Sequence, residues 1–262
     1  MRVLSLCPSN TEIVEFLGMT ELLVGVDDYS DWPEKIKELP RLGPDLSINM
    51  DRVEELAPDI VLASLSVPGM EKNVEELQRR GIPHIVLNPQ SLLDIEHDLV
   101  ITAKAMGELE AGQKAANIFR SKIEALRQIA AKIEEKPTLY WEWWPKPVFT
   151  PGKINWLTEI SRLAGAENLF NDVELASVQT DWDDVYRRNP DYICLAWVGV
   201  RKEKVQPETV YKRPNWLQLN AVKNKQILVL EEELYCRPSP RLLEGAIKLA
   251  KIIHPEAYKS VK

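Results

Sequence analysis

Cysteine is scarce in this 262-residue chain: Cys7, Cys194 and Cys236 are odd in number, far apart and outside any CxxC or Cys/His spacing. That excludes a disulfide framework and a cysteine-based zinc site, and predicts buried thiols. There are only three histidines. His84 precedes a strand, His97 falls in a charged helix, and His254 closes the last helix, where a cation suits the dipole, so structural roles are expected for all three. No GxGxxG, Walker loop, HExxH or GxSxG occurs. No catalytic residue, resident metal or catalytic cofactor is therefore assigned. No run approaches the ~18–20 apolar residues of a membrane span, so no membrane insertion is expected. With 33 Lys+Arg against 40 Asp+Glu, a net charge of −7 and no basic stripe interleaved with aromatics, a nucleic-acid partner is excluded. The opening "MRVLSLCPSN" has neither the charged start nor the long apolar stretch of a secretory leader. The protein is expected in the cytoplasm if Met1 is the native start, and in the periplasm or another extracytoplasmic space if a leader was trimmed.

What is present is alternation. "RVLSL", a helix from about Thr11 to Leu17, "LLVGV", a helix around Met50 to Leu56, "DIVLAS", a helix around Lys72 to Arg80 and "HIVLN" follow one another in the order of parallel βαβ units. A second set follows Pro137: "TLYWEW", a helix from about Trp156 to Leu163, a short strand near Ala166 to Leu169, a helix over Asp183 to Arg188, "YICLAW", "QILVL" and a final helix. Phrases recur between the sets. "TEIVEFLG" at 11–18 has a counterpart in "TEISRLAG" at 158–165, and "VEELAPDIVLA" at 53–63 in "VYRRNPDYICLA" at 185–196. The offsets differ, which describes a loose duplication and not a tandem repeat. Between the sets, Ile118, Ile123, Leu126, Ile129 and Ile133 keep helical spacing up to Pro137, so one helix from Leu109 to Glu135, roughly 40 Å long, is predicted. The fold class is α/β, with two Rossmann-like lobes (1–108 and 137–262) joined by a long α-helix (109–136).

In open α/β sheets, ligands bind at the carboxyl ends of the strands. "YWEWWPKP" at 140–147 crowds four rings into five positions at such an end. Strand alternation assigns Trp141 to the core and puts Trp143 or Trp144 at the strand mouth. The same rule places Trp197 after "YICLA", and Tyr29 and Trp32 after "LLVGV". Ser9 and Asn10 in "CPSNTE" offer hydrogen bonds to a ligand, or cap a helix starting near Thr11; capping is the preferred role for Ser9. Cys7 is expected to be a buried, inert thiol.

"RVLSLCPSNTEIVEFLG", "VGVDDYSDWP", "LPRLGPDLSINMDRVEELAPDIVLA" and "RPSPRLLEGAIKLAKIIHPE" together resemble the cobalamin-type substrate-binding proteins of ABC importers, whose two lobes are bridged by one long helix. The resemblance covers nearly the whole chain. It implies a monomeric, non-enzymatic protein that holds a corrinoid, such as cobalamin, between lobes that move little and delivers this small-molecule metal chelate to an importer permease. Heme and ferric siderophores are the alternative ligands. Tyr29 is the ring carried over most directly. Where relatives have tryptophans, this chain has Ser64 and Val86, and Leu234 and Tyr235 before the "SPR" phrase; Trp143, Trp144 and Trp197 are then the candidate replacements from other positions, and Tyr235 is counted among the ligand-binding residues where it stands. Glu71 in "PGMEKNVEEL" and Glu203 in "VGVRKEKV" are the implied permease-docking carboxylates. A cytoplasmic corrinoid carrier and a chelatase-like enzyme are the other readings.

Overall fold

The computed structural model describes residues 1–261. In the first unit, apolar triplets to pentads form β1 (Val3–Ser5), β2 (Leu23–Val26), β3 (Ile60–Ser64) and β4 (His84–Leu87), a wholly parallel sheet in the order β2-β1-β3-β4. Strands buried on both faces need side chains that are apolar at successive positions. Period-2 alternation then divides them: Leu4 and Val61 join Val53 and Leu77 on one side of the sheet, while Val3 and Leu62 join Val14 and Ala103 on the other. The crossovers carry α1 (Pro8–Phe16), α2 (Met50–Glu55) and α3 (Glu71–Arg79), and α4 (Leu92–Ala105) follows β4. α4 opens on a capping box in which the Ser91 hydroxyl accepts from the Asp94 N–H at 3.1 Å and the Asp94 carboxylate takes the Ser91 N–H at 3.0 Å.

α5 (Leu109–Ala130) is shorter than the spacing predicts, 22 residues and ~33 Å. It stops before Glu134 and Glu135, whose carboxylates would sit at the negative end of the helix dipole. The chain divides inside this helix, into Met1–Ser121 with Pro238–Pro240 and Lys122–Arg237 with Arg241–Lys262. α4 and α5 meet closely at Gly112, where an added Cβ would lie 2.6 Å from Ala103 Cβ.

The second unit repeats the plan of the first. β5 (Thr138–Glu142), β8 (Glu167–Asn168), β10 (Tyr192–Leu195) and β11 (Ile227–Val229) form a parallel sheet in the order β8-β5-β10-β11, the same progression as β2-β1-β3-β4. The recurring phrases occupy equivalent places. "TEIVEFLG" runs through the end of α1 and "TEISRLAG" through the end of α6 (Trp156–Leu163), and each closes on a positive-φ glycine, Gly18 at 73° and Gly165 at 77°. The "PD" phrases match in finer detail. Ala57 and Asn189, each before a proline, both have positive φ, 42° and 47°. The aspartate after the proline clamps the start of the first strand in each unit: Asp59 Oδ2 accepts the Arg2 N–H at 2.6 Å, and Asp191 Oδ2 the Thr138 N–H at 2.9 Å. The backbone N–H of each aspartate bonds back to the same residue's carbonyl.

The offsets differ because the second unit carries an additional antiparallel sheet, β6 (Trp144–Pro145), β7 (Val148–Pro151) and β9 (Ser177–Thr180), in the order β6-β7-β9. The unit is completed by α7 (Trp182–Arg188), the short α8 (Asn220–Lys223) and α9 (Glu232–Tyr235), α10 (Leu242–Ile253) and α11 (Pro255–Tyr258).

One buried group works against the fold. Asp98 on α4 is buried, and its Oδ2 has no hydrogen-bond partner among the described residues. Burial, helped by the Asp94 carboxylate, pushes its pKa up to about 7. The unfolded chain releases this proton near pH 4 and the folded one only near 7, so stability falls across that window by up to ~4 kcal/mol. Asp98→Asn is therefore expected to raise the denaturation midpoint at pH 8 and to leave it nearly unchanged below pH 4; a pH-independent difference between the two proteins would remove the electrostatic cause.

Candidate functional site

In the first unit the strands β1, β2 and β3 end at Ser5, Val26 and Ser64, and the chain that leaves them is polar and tightly bonded. Directly after β2, Asp27 is fully buried. Its Oδ2 accepts the backbone N–H of Tyr29 at 2.8 Å and of Ser30 at 3.2 Å, and its Oδ1 accepts the Ser30 hydroxyl at 2.5 Å, an Asx-type turn. Arg41 grips the same turn, donating to the carbonyls of Asp27 at 3.1 Å and Ser30 at 2.6 Å. Thr11 Oγ1 bridges the Ser30 and Ser5 hydroxyls, 2.8 Å from each. The turn therefore has a fixed base and a free tip, Tyr29, which is 54% exposed. Trp32 is half-buried. Burial outweighs the donated hydrogen bonds and raises Asp27 to about 6.

Ser9 and Asn10 do not cap α1, and both side chains are engaged inside the protein. α1 begins at Pro8, with Cys7 as its N-cap and no side-chain cap bond, because proline is preorganised for the first helical position. Both residues are consequently inside the helix and buried. Asn10 Nδ2 donates to the carbonyls of Leu62 and Ala63 at 3.1 and 3.0 Å, and Ser9 Oγ lies 3.2 Å from Cys7 Sγ. Asn10 thus ties α1 to the end of β3. Burial pushes the Cys7 thiol up to about 11, as an inert thiol requires. Glu71 is exposed and accepts the Gly69 N–H at 2.7 Å at the start of α3.

In the second unit β5 ends at Glu142, so alternation does not carry through Trp143 and Trp144. Trp143 turns out of the strand: its N–H donates to the Phe149 carbonyl at 2.9 Å and its carbonyl accepts from Val198 at 3.2 Å. The Trp143 ring is half-buried, 6.3 Å from Trp156, and its indole N–H is enclosed without a partner among the described residues. Trp144 begins β6, pairs with Phe149 and is 43% exposed. It is the more open of the two rings. Trp141 is fully buried, as alternation predicts, and donates to Ser161 Oγ at 2.9 Å.

Tyr235 departs from its expected place. It is fully buried, packs with its ring centre 5.5 Å from that of Trp141 at a tilt of 44°, and donates its hydroxyl to the Gly245 carbonyl at 2.9 Å. The approach is so close that a Cβ on Gly245 would fall 2.4 Å from the Leu234 carbonyl oxygen. The ring is core. Trp197 is half-buried, and its indole donates to Glu142 Oε1 at 3.1 Å. Glu142 itself is fully buried and anchors a network the sequence does not announce. Arg213, also buried, holds it with two bonds of 2.5 and 2.8 Å, and the Tyr140 hydroxyl donates to it at 2.8 Å. The guanidinium packs 4.4 Å from the Trp216 ring and 5.2 Å from that of Trp182. Glu203 is exposed.

Burial raises the pKa of all three thiols. His84 Nδ1 lies 2.8 Å from the Ile82 carbonyl and His254 Nε2 3.0 Å from the Gly165 carbonyl, both structural contacts, while His97 is exposed on α4. Among the described residues no group of three or more His, Cys, Asp or Glu is arranged to hold a metal ion, and no helix is long and apolar enough to cross a membrane.

Known proteins agree with a binding role. An uncharacterized ABC transporter substrate-binding lipoprotein of Bacillus subtilis, YvrC, is 29% identical over 98% of this chain and 81% of its own length. A vitamin B12-binding protein of Yersinia pestis is 30% identical over 95% of this chain and 85% of its own length. The crystal structure of the periplasmic vitamin B12-binding protein BtuF of Vibrio cholerae superposes with a TM-score of 0.77 at 26% identity, covering 98% of this chain and 96% of that one. The family model described as periplasmic binding protein matches residues 3–234. With residues 3–234 matched and two parallel sheets of equivalent strand order, the chain belongs to the periplasmic binding protein family of ABC importers, which bind substrates for transport.

Proposed function

We propose that the protein binds a corrinoid outside the cytoplasmic membrane and delivers it to an ABC importer, without a catalytic step. The observation that carries this reading is Tyr29, an exposed ring on a braced turn at the carboxyl end of β2, in a chain 30% identical to a vitamin B12-binding protein. A flat macrocycle with amide arms favours stiff, amphipathic rings, which bury area at small entropic cost and leave a polar tip for hydrogen bonding. In the second unit Trp144 offers the corresponding open ring, with Trp143 as its partly covered neighbour, as Trp32 is to Tyr29 in the first. Trp197 supports the Glu142 network and is assigned no direct contact.

The test is a fluorescence titration with cyanocobalamin, and separately with hemin, of wild type, Tyr29→Ala and Trp144→Ala. Wild type should bind the corrinoid with quenching of tryptophan emission. Tyr29→Ala should lose ~2 kcal/mol of binding, roughly thirtyfold, while melting within a degree or two of wild type, as expected of an exposed anchor. Tight binding of hemin with none of cyanocobalamin would move the assignment to heme. Unchanged affinity in Tyr29→Ala would remove Tyr29 from the site.

A further inference from the structure

The turn that carries Tyr29 is held by a group that sequence reasoning passes over. We propose that Asp27 is the positioning residue for Tyr29, a carboxylate brace whose ionisation sets how firmly the ring is presented to ligand. The inference rests on the reading that Tyr29 meets the ligand.

The geometry is specific. Asp27 has no exposed surface, and both of its carboxylate oxygens point back into its own turn, where they receive the Tyr29 N–H, the Ser30 N–H and the Ser30 hydroxyl. Its backbone is fixed independently: the Asp27 N–H donates to the Ser5 carbonyl at 3.0 Å, and Arg41 holds the Asp27 and Ser30 carbonyls. Ser30 is in turn bonded to Thr11 on α1. The Asp28 side chain turns outward to the Gly43 N–H, and the exposed Tyr29 ring stands outside the net while its amide is the point of attachment. A brace on the amide of an exposed aromatic fixes where the ring stands without covering it, which lowers the ordering cost of binding.

An ionised carboxylate accepts all three donors, each in a charge-assisted bond about twice as strong as a neutral one. Once protonated, one oxygen carries a hydrogen, the Ser30 hydroxyl must turn toward Thr11, and the bond to the Tyr29 amide becomes neutral. The charged and titratable groups around Asp27 are few. The Cys7 thiol, at the β1–α1 junction, stays protonated. The Asp45 carboxylate, on the following loop, raises Asp27 further, and the Arg41 guanidinium is engaged with the two carbonyls. Neighbouring Asp28 is exposed and takes the Gly43 N–H at 3.1 Å. With Asp27 titrating at about 6, the ring is held in neutral solution and loosened in mild acid.

Two measurements on the full chain test this. The first needs no ligand: the amide resonances of Tyr29 and Ser30 are followed by nitrogen-15 NMR between about pH 4 and pH 8. In wild type both should titrate together with a midpoint at about 6; in the isosteric Asp27→Asn both should be pH-independent and exchange faster. A Tyr29 amide that does not titrate, or keeps its exchange rate in Asp27→Asn, overturns the brace. The second is the cyanocobalamin affinity at about pH 5 and pH 8. Wild type should bind on the order of tenfold more weakly in acid, as loss of one charge-assisted bond implies, and Asp27→Asn should be equally weak at both. A flat wild-type profile beside a titrating amide overturns the link from brace to ligand. Failure of the corrinoid reading looks different, as absence of wild-type binding at pH 8, and the amide titration then decides the brace by itself.

Discussion

Arg213→Met should destabilise the protein by about 3–5 kcal/mol, among the largest effects available to a single polar substitution. Methionine fills much of the same volume but leaves Glu142, which is completely buried, as an anion with only the Tyr140 hydroxyl and the Trp197 indole to solvate it. The two guanidinium bonds disappear together, and so does the cation packed against Trp216 and Trp182. Removing the anion as well should recover most of the loss, because a buried pair replaced by apolar groups is often close to neutral. Urea denaturation of wild type, Arg213→Met, Glu142→Leu and the double variant forms a thermodynamic cycle. The expected pattern is two costly single changes and a double variant near the wild-type midpoint. Additive losses would mean that the two charges do not depend on each other.

Trp141→Ala is expected to cost a similar amount, about 3–5 kcal/mol, by a different route. The indole is fully enclosed between the sheet and α6, where its N–H satisfies Ser161 and its face meets Tyr235. Truncation opens a large cavity, removes the indole donor to Ser161, whose hydroxyl keeps its bond to the Leu157 carbonyl at 2.7 Å, and unseats Tyr235, whose own hydroxyl is tied to α10 at Gly245. Trp144→Ala, three residues on, should stay within ~0.5 kcal/mol because its ring is already partly in water. Thermal melts of the two variants, run alongside the ligand titration, check the contrast. If both melt early, the rings of "YWEWWPKP" are all core, and Trp144 is no candidate for a ligand.

Most strands of the two parallel sheets are legible in the sequence because a strand buried on both faces must be apolar at consecutive positions, and such runs stand out between helical periods; β8, the polar pair Glu167–Asn168, is the exception and is marked only by its apolar flanks. The three-stranded antiparallel sheet is not legible. β6 is two residues ending in proline, β7 ends in proline as well, and β9 is polar "SVQT", so each lacks the apolar run by which a strand is recognised. A start for α1 near Thr11 comes too late because Pro8 already serves as a first helical residue, and that shift turns Ser9 and Asn10 inward. Tyr29 can be nominated from its place after β2, since a polar stretch beyond a buried strand must surface. Asp27 has a faint signal, an acid next to a strand end with serine three residues on. Arg213 has none, because its partner lies 71 residues away and no local pattern encodes a pairing at that distance. Tyr235 is misplaced by sequence reasoning for the same reason: its enclosure depends on Trp141 and Gly245, remote in sequence and ten residues away respectively.

The tripeptide Pro238–Pro240 groups with the first unit although the chain on both sides of it belongs to the second, and within that first unit the buried Ser239 donates its hydroxyl to Glu12 of α1. The two halves share a common plan in strand order and in the clamps at Asp59 and Asp191, yet they are no longer separable by one cut. A fragment ending at Ser121 would keep all four strands of its sheet but lose the hydroxyl that reaches α1 from more than a hundred residues downstream. The first unit is thus discontinuous in sequence. Splitting the protein into two folded pieces, for a binding sensor or a reassembly assay, requires that residues 238–240 be returned to the first half.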